Sequence, residues 1–411
     1  MERPYPKVIC NKKAERLLKS GHPWVYGEET SGPDCAYENG DIVDVFTEKG
    51  SWMGAGFIND NSKIRVRIIS RNTNDRFDEA FWRRRVEYAV DYRRTVMGED
   101  FGCCRLVFGE ADSFPGLTVD KFEDVLVTEV LSLGIERRKD LIYRLLAQTL
   151  AERGVSVRCI YERNEAALRL KEGLEQGKGY YEAEWLGPAG KERDSGHVTI
   201  NENGVFYDID FVNGQKTGFF LDQKYNRAAA SKLAAGMRVL DCFTHTGAFA
   251  LNCAKAGAAR VTAVDISADA IAQTRRNIEL NGLSDKTETV QADVFDYLTE
   301  LAASKKHPFD YIILDPPAFT KSGATVKNAY KGYKEINLKA MKILPRGGYL
   351  ATCSCSHFMT AELFRKMLAD AAKDAGVQLR QIEERRQSPD HPILWGVPET
   401  EYLKFLIFQV V

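Results

Sequence analysis

No apolar run in the 411-residue chain approaches the ~18 residues that a bilayer span requires. The start, Met1-Glu2-Arg3-Pro4-Tyr5-Pro6-Lys7, lacks the apolar stretch of a secretory signal, so a cytoplasmic location is expected and no membrane partner. Net charge is almost absent: 57 Lys and Arg stand against 58 Asp and Glu, a formal balance of -1. No global positive field therefore draws the chain onto nucleic acid, and any RNA contact must come from a local basic face. Nine cysteines are present but no C-x-x-C pair, which argues for free thiols and against a structural zinc site or any other metal. No G-x-G-x-x-G follows a predicted strand, as a dinucleotide-binding fold would show. With 44% hydrophobic residues and little net charge, wholesale disorder is excluded too. What remains is a folded chain of two or three domains.

Its organisation changes along its length. Residues 1–72 read as a small β-rich barrel: Asp41–Phe46 and Lys63–Ile69 alternate with period two, a middle strand lies near Trp52–Phe57, and Lys12–Ser20 is a short helix. Residues 73–190 read as a central α+β domain. It opens with a basic helix, Arg76–Met97, carrying Arg83, Arg84, Arg85, Arg93 and Arg94 among Phe81, Trp82, Tyr88 and Tyr92. Strands follow from Arg105 to Val127, then a helix over Lys139–Arg153 and a strand over Val157–Tyr161. The polar stretch Gly187–Gly196 reads as a linker. Residues 191–411 form the third domain, in which strands and helices alternate. The strands are Met237–Asp241, Val261–Asp265, Thr287–Gln291, Tyr311–Leu314 and Tyr349–Cys353, with Gln378–Glu383 and Tyr402–Val410 at a sheet edge. Such alternation means a parallel, Rossmann-like α/β sheet.

Open α/β sheets bind ligands beyond the carboxyl ends of their strands. Four strand ends here carry suitable groups. The first runs into Asp241-Cys242-Phe243-Thr244-His245-Thr246-Gly247, where glycine admits a close ligand and Asp241 can hold an ammonium or order the loop. The second ends at Asp265-Ile266, placed to accept ribose hydroxyls. The third ends at Asp293, and the fourth at Asp315-Pro316-Pro317-Ala318-Phe319. Together these resemble class I S-adenosylmethionine-dependent methyltransferases. The resemblance implies S-adenosylmethionine as cofactor, with Asp265 on the ribose, Asp293 on the adenine, and Asp315-Pro316-Pro317 facing the transferring methyl. A strand-ending Asp is also a common helix N-cap, which is the plainer reading of each acid alone.

The fifth strand runs into Thr352-Cys353-Ser354-Cys355-Ser356-His357. Carbon-5 of cytosine is a weak nucleophile, and a thiolate adding to C6 makes C5 enamine-like; cysteine suits because it both attacks and leaves well. Cys355, just past the strand, would face the Asp315 loop. Cys353, inside the strand, reads as a small core hydrophobe. Alternation of Cys353, Cys355 and His357 along one face is also a metal-ligand pattern, though no fourth ligand is evident.

Four further segments make the resemblance more specific: Gly214–Arg227 (GQKTGFFLDQKYNR), Tyr330–Asn337 (YKGYKEIN), Thr352–Ser356 (TCSCS) and Arg105–Leu117 (RLVFGEADSFPGL). With Asp315–Phe319 and Gly21-His22-Pro23-Trp24, they are similar to bacterial large-subunit rRNA 5-methylcytosine methyltransferases over nearly the whole chain. The resemblance implies an N-terminal PUA-like RNA-binding domain, a central α+β domain, a class I methyltransferase domain, and an assembly that is often dimeric. Carried over, Cys355 matches the nucleophile and Asp315 the strand-four acid, while Thr217, Gly218 and Asp222 would help close a cofactor pocket also lined by Asp241, Phe243, Gly247, Asp265, Ile266, Asp293 and Pro316. This chain departs from the pattern at His245 in the cofactor loop, and at Ala318-Phe319, where better-known RNA cytosine-5 enzymes carry a second cysteine.

Large-subunit rRNA would be read locally, through Lys321 and Lys327 near the chemistry and Arg84 on the basic helix, the plain reading of that helix being a solvated face. Two alternatives stand: an rRNA guanine methyltransferase with no covalent step, and a non-catalytic RNA-binding or ribosome-assembly protein that kept the cofactor pocket.

Overall fold

The computed structural model describes residues 3–186, 195–320 and 322–411. Residues 187–194, most of the expected linker, and Lys321 lie outside it. The described chain divides into two compact units, 1–198 with 209–219 and 389–400, and 199–208 with 220–388 and 401–411.

In the first unit, strands β1 (Lys7–Cys10), β2 (Trp24–Tyr26), β3 (Ile42–Thr47), β4 (Trp52–Ile58) and β5 (Ile64–Ser70) form a sheet ordered β1-β3-β4-β5-β2. Its edge strands β1 and β2 are not paired with each other, so the expected barrel is an open half-barrel. Val8, Val25, Val43, Val45, Ile58 and Val66 fill its core, against Ala14 and Leu18 of helix α1 (Lys12–Lys19). Asn11 caps that helix, its side chain accepting from the Lys13 and Ala14 amides.

A second sheet in the same unit, ordered β10-β9-β8-β7-β6, is built from β6 (Cys103–Phe108), β7 (Leu117–Phe122), β8 (Val125–Val130), β9 (Cys159–Asn164) and β10 (Gly177–Tyr180). Helices α2 (Glu79–Met97) and α4 (Lys139–Glu152) pack together beside it, with the single-turn α3 (Leu133–Glu136) preceding α4. Arg93 of α2 is fully buried, gripping the Asp112 carboxylate with both terminal nitrogens. Arg83 pairs with Glu152 and Arg84 with Asp75, so much of the charge on this helix is answered within the unit.

Strands β11 (His197–Glu202) and β12 (Val205–Asp210) form a two-stranded sheet. The second unit's main sheet follows. Strands β13 (Arg238–Cys242), β14 (Arg260–Asp265), β15 (Thr287–Gln291), β16 (Tyr311–Leu314), β17 (Tyr349–Ser354), β18 (Leu379–Arg385) and β19 (Lys404–Val410) take the order β15-β14-β13-β16-β17-β19-β18. The first five are parallel; β19 runs antiparallel to β17 and β18. Helices α5 (Lys224–Ser231), α6 (Ala248–Lys255), α7 (Ala268–Leu280), α8 (Val294–Ala303), α9 (Val326–Ile343) and α10 (Ala361–Ala375) complete a doubly wound fold. Strand order reverses between β13 and β16, which opens a crevice at their carboxyl ends. No helix of the described residues is long and apolar enough to cross a membrane.

One buried ion pair ties α5 to β11. The Arg227 guanidinium meets the Glu202 carboxylate at 2.5 and 2.7 Å, and both side chains are sealed from solvent. Removing one partner strands a charge, so Arg227→Ala should destabilise this unit by about 3–5 kcal/mol. The paired change Glu202→Leu with Arg227→Met should recover most of that loss, as read from urea midpoints.

Candidate active site

The β13 strand ends in a tightly turned loop. Phe243 and His245 adopt positive φ (64° and 53°), and Gly247 follows at 81°. A Cβ at Gly247 would lie 2.8 Å from Thr274 Cγ2, so glycine is required there twice over, by conformation and by contact. Thr274 and Asn277 of α7 donate to the His245 and Thr246 carbonyls. The departure at His245 is thereby explained: its backbone is held from both sides and its ring packs edge-on against Phe220.

Asp241 is buried at the root of this loop. Its Oδ2 accepts from the Thr244 hydroxyl (2.6 Å) and the Ala250 amide (3.0 Å), while Oδ1 has no hydrogen-bond partner in the protein. Burial pushes its carboxyl up to about 7, despite those two donors. At the end of β14, Asp265 takes the His245 amide on one oxygen and the Ser267 amide on the other, both at 2.9 Å. Beside it Ile266 is 63% exposed, an apolar side chain with nothing over it. Asp293 is the N-cap of α8, accepting from the Phe295 amide at 2.7 Å, and is otherwise exposed. For Asp293 the cap reading and the ligand reading coexist, since a carboxylate has lone pairs left after capping.

At the end of β16, Asp315 accepts from Gln223 Nε2 at 3.0 Å. Burial, and then the nearby Asp222 charge, raise its carboxyl to about 7. Asp222 itself receives the Tyr402 hydroxyl at 2.6 Å. Pro316 is buried, and the Phe319 ring packs tilted against Tyr333 of α9, with centroids 4.5 Å apart. Phe243 meets Phe319 edge-on, which joins the β13 and β16 loops.

The two thiols on β17 separate clearly. Cys353 has no exposed surface, and burial followed by the Asp315 carboxylate pushes its thiol far up, so it stays protonated. A protonated, enclosed thiol is a poor nucleophile. Cys355 is half-buried, with its sulfur 4.0 Å from the Pro316 carbonyl oxygen. The structure thus brings Cys355, Asp315, Pro316, Asp241, Phe243 and Gly247 to adjoining strand ends, with Asp265 hydrogen-bonded to the same loop. Thr217 and Gly218 belong to the first unit, where the Thr217 hydroxyl donates to Asp120 at 2.5 Å. Arg84 lies in that unit as well, hydrogen-bonded to Asp75, and Lys327 is exposed on the first turn of α9. No cluster of potential metal ligands occurs among the described residues.

Sequence reasoning did not single out Gln223 or Lys404. Gln223 lies inside the GQKTGFFLDQKYNR segment, which was the available signal. Lys404 had none: it pairs across the sheet with Ser354, and its ammonium donates to the Ser356 carbonyl (2.7 Å) and the Tyr402 carbonyl (2.6 Å). Burial lowers it to about 8, opposed by the nearby Cys355 and Glu401 charges.

This donor set fits a cationic adenosyl ligand. A buried carboxylate oxygen without a partner, a glycine-lined approach, a held acid and an uncovered aliphatic side chain occupy consecutive strand ends. The family model for S-adenosylmethionine-dependent methyltransferases matches residues 178–409, and that for PUA-like domains matches residues 8–71. The fold and cofactor are therefore those of an S-adenosylmethionine-dependent methyltransferase. The chain is 36% identical over 409 residues to ribosomal RNA large subunit methyltransferase I of Klebsiella pneumoniae, covering 99% of each chain. It is 40% identical over 405 residues to the Aeromonas hydrophila protein of the same name, covering 98% of each. It belongs to this family of ribosomal RNA large subunit methyltransferase I proteins. A solved chain from Streptococcus mutans, described as a candidate SAM-dependent methyltransferase, shares the fold at TM-score 0.80 and 22% identity, covering 98% of this chain and all of that one.

The Asp241 shift carries a sign. Its folded value of about 7 lies above the ordinary 3.8, so its contribution to stability is full below pH 3.8 and is lost as pH rises through about 7. Between those limits, Asp241→Asn should lose less stability with rising pH than the wild type does, in urea melts of the protein without cofactor.

Proposed function

We propose that this chain transfers the methyl group of S-adenosylmethionine to C5 of a cytosine in large-subunit rRNA, through a transient bond between Cys355 and C6. The observation that carries the reading is the half-buried Cys355 sulfur, 4.0 Å from the carbonyl of Pro316, immediately after Asp315. The names of the relatives support the substrate class, and the thiol supports the atom.

In this reading Asp265 accepts the ribose hydroxyls, Ile266 lies against the adenine, Asp293 takes its exocyclic amine, and Asp241 with the Phe243–Gly247 loop receives the amino-acid end. Asp222 bounds the pocket. Bound there, the cofactor supplies an electrophilic sulfonium methyl. The Cys355 thiolate adds to C6 and the pair of electrons moves to C5, which takes the methyl. Loss of the C5 proton to a base then expels the thiolate and restores the ring. Asp315, poised near pH 7, is suited to donate a hydrogen bond to cytosine N3 and draw electrons from C6. Lys327, Lys321 and Arg84 are the proposed phosphate contacts. A single-stranded or flipped cytosine is required, because C6 is shielded inside a stack.

The test is incubation with rRNA containing 5-fluorocytosine plus S-adenosylmethionine, followed by mass spectrometry. Fluorine at C5 blocks elimination, so an adduct should remain on Cys355. Methyl transfer to ordinary rRNA without any adduct would favour guanine as the target. Cys355→Ala should abolish transfer while sparing cofactor affinity, and Cys353→Ala should stay active. A folded but inactive Cys353 variant would assign the nucleophile to Cys353 instead. Asp265→Ala should weaken cofactor binding by about 1.5–3 kcal/mol in calorimetry, as for loss of a hydrogen bond to a charged group.

A further inference from the structure

Trp395 is 94% exposed, and the tip that carries it is firmly held. The Val397 amide donates to the Leu394 carbonyl at 3.0 Å, closing a β-turn with Trp395 and Gly396 at its corners. Gly396 has φ of 90°, as the third position of a type II turn requires. Val397 is fully buried behind the tip, and the Leu394 amide donates to Thr400 Oγ1. Upstream, the buried Asp390 carboxylate takes the Arg105 amide at 2.8 Å, and its carbonyl takes Arg93 Nη2 at 2.9 Å. A Cβ at Gly396 would fall 2.5 Å from the Ser20 carbonyl, so the tip lies against the chain leaving α1.

That helix is basic on its open side. Lys12, Lys13, Arg16 and Lys19 are all exposed, and among the described residues Lys12 and Arg16 make no ion pair. A large aromatic face held in water costs hydration free energy unless something covers it. Here the adjoining surface is cationic, which suits a polyanion bearing flat bases and repels a basic partner.

We infer that Trp395 is a stacking platform for an unpaired base of the substrate RNA, whose phosphates run along Lys12 and Arg16 of α1. The inference rests on the proposed rRNA substrate and adds a contact through residues of the first unit that have no proposed part in cofactor binding. Stacking on an aromatic ring tolerates any base, so this contact sets affinity rather than sequence choice.

The experiment measures methyl transfer to large-subunit rRNA, and tryptophan fluorescence on titration with a single-stranded RNA oligomer. Trp395→Ala should raise KM for rRNA by roughly tenfold. It should leave kcat and S-adenosylmethionine affinity unchanged and remove most of the RNA-induced quenching. Trp395→Phe should restore most of the KM. Lys12→Ala with Arg16→Ala should weaken RNA binding and flatten its salt dependence. Unchanged KM and quenching in Trp395→Ala would overturn the inference. So would a wild-type dimer that Trp395→Ala dissociates with RNA affinity intact, since the ring would then serve a second copy of this chain. If the wild type methylates no rRNA, the substrate reading fails by itself, and oligomer quenching still decides whether Trp395 stacks on bases.

Discussion

Two carboxylates at neighbouring strand ends, Asp241 buried and Asp315 partly so, set the terms for the whole site. Asp241 and Asp315 close β13 and β16, the strands between which the sheet order reverses; burial raises both, with Asp315 adding to the cost of charge on Asp241 and Asp222 to that on Asp315. Neither ionises as an ordinary aspartate would, even with the Arg227 charge acting on Asp315. The protein surrounds them with donors that hold the side chains without neutralising them: Thr244 and the Ala250 amide on Asp241, Gln223 on Asp315. A sulfonium with an ammonium is the kind of ligand that such a pair favours, because it supplies the missing positive charge. In the proposed reading, the raised cost of charge at these two strand ends is what a cationic ligand would relieve.

The same constraint accounts for the different fates of two cysteines that the sequence places side by side. Cys353 lies beside the Asp315 carboxylate, whereas the Cys355 sulfur sits at the carbonyl of Pro316, the next residue. Ser354 is the last residue of β17 paired to β19, opposite Lys404. Cys353 is thus inside the ladder, enclosed and held protonated beside a carboxylate, while Cys355 has left the sheet for its rim. Lys404 then fixes the carbonyl of the residue after Cys355, so the rim position is anchored.

Much of this was legible before any coordinates. Strand ends carrying acids announce themselves where a parallel strand reads as a short apolar run that stops at a polar residue, and β16 (YIIL) falls where the pattern puts it. The half-barrel's open edge was not legible, because period-two alternation says which face is buried and not whether the last strand meets the first. Charge was the least legible property of all. The α2 arginines look alike in sequence, yet Arg93 is sealed against Asp112 while Arg94 stays at the surface. Partners distant in sequence decide such matters, and Lys404 and Gln223 escaped notice for the same reason.

Trp395 shows the converse. Residues 392–397, Pro392-Ile393-Leu394-Trp395-Gly396-Val397, are all apolar or glycine, yet they do not share one environment. The turn at Gly396 divides the run: Val397 goes into the core and Trp395 goes out, because a left-handed glycine reverses the chain between them. An aromatic ring is exposed here by backbone geometry that neighbouring hydrogen bonds enforce, and not by slack in a loose loop. Exposure maintained at that structural cost calls for a partner with a flat apolar face, and the cationic helix beside it narrows that partner to a polyanion that carries bases.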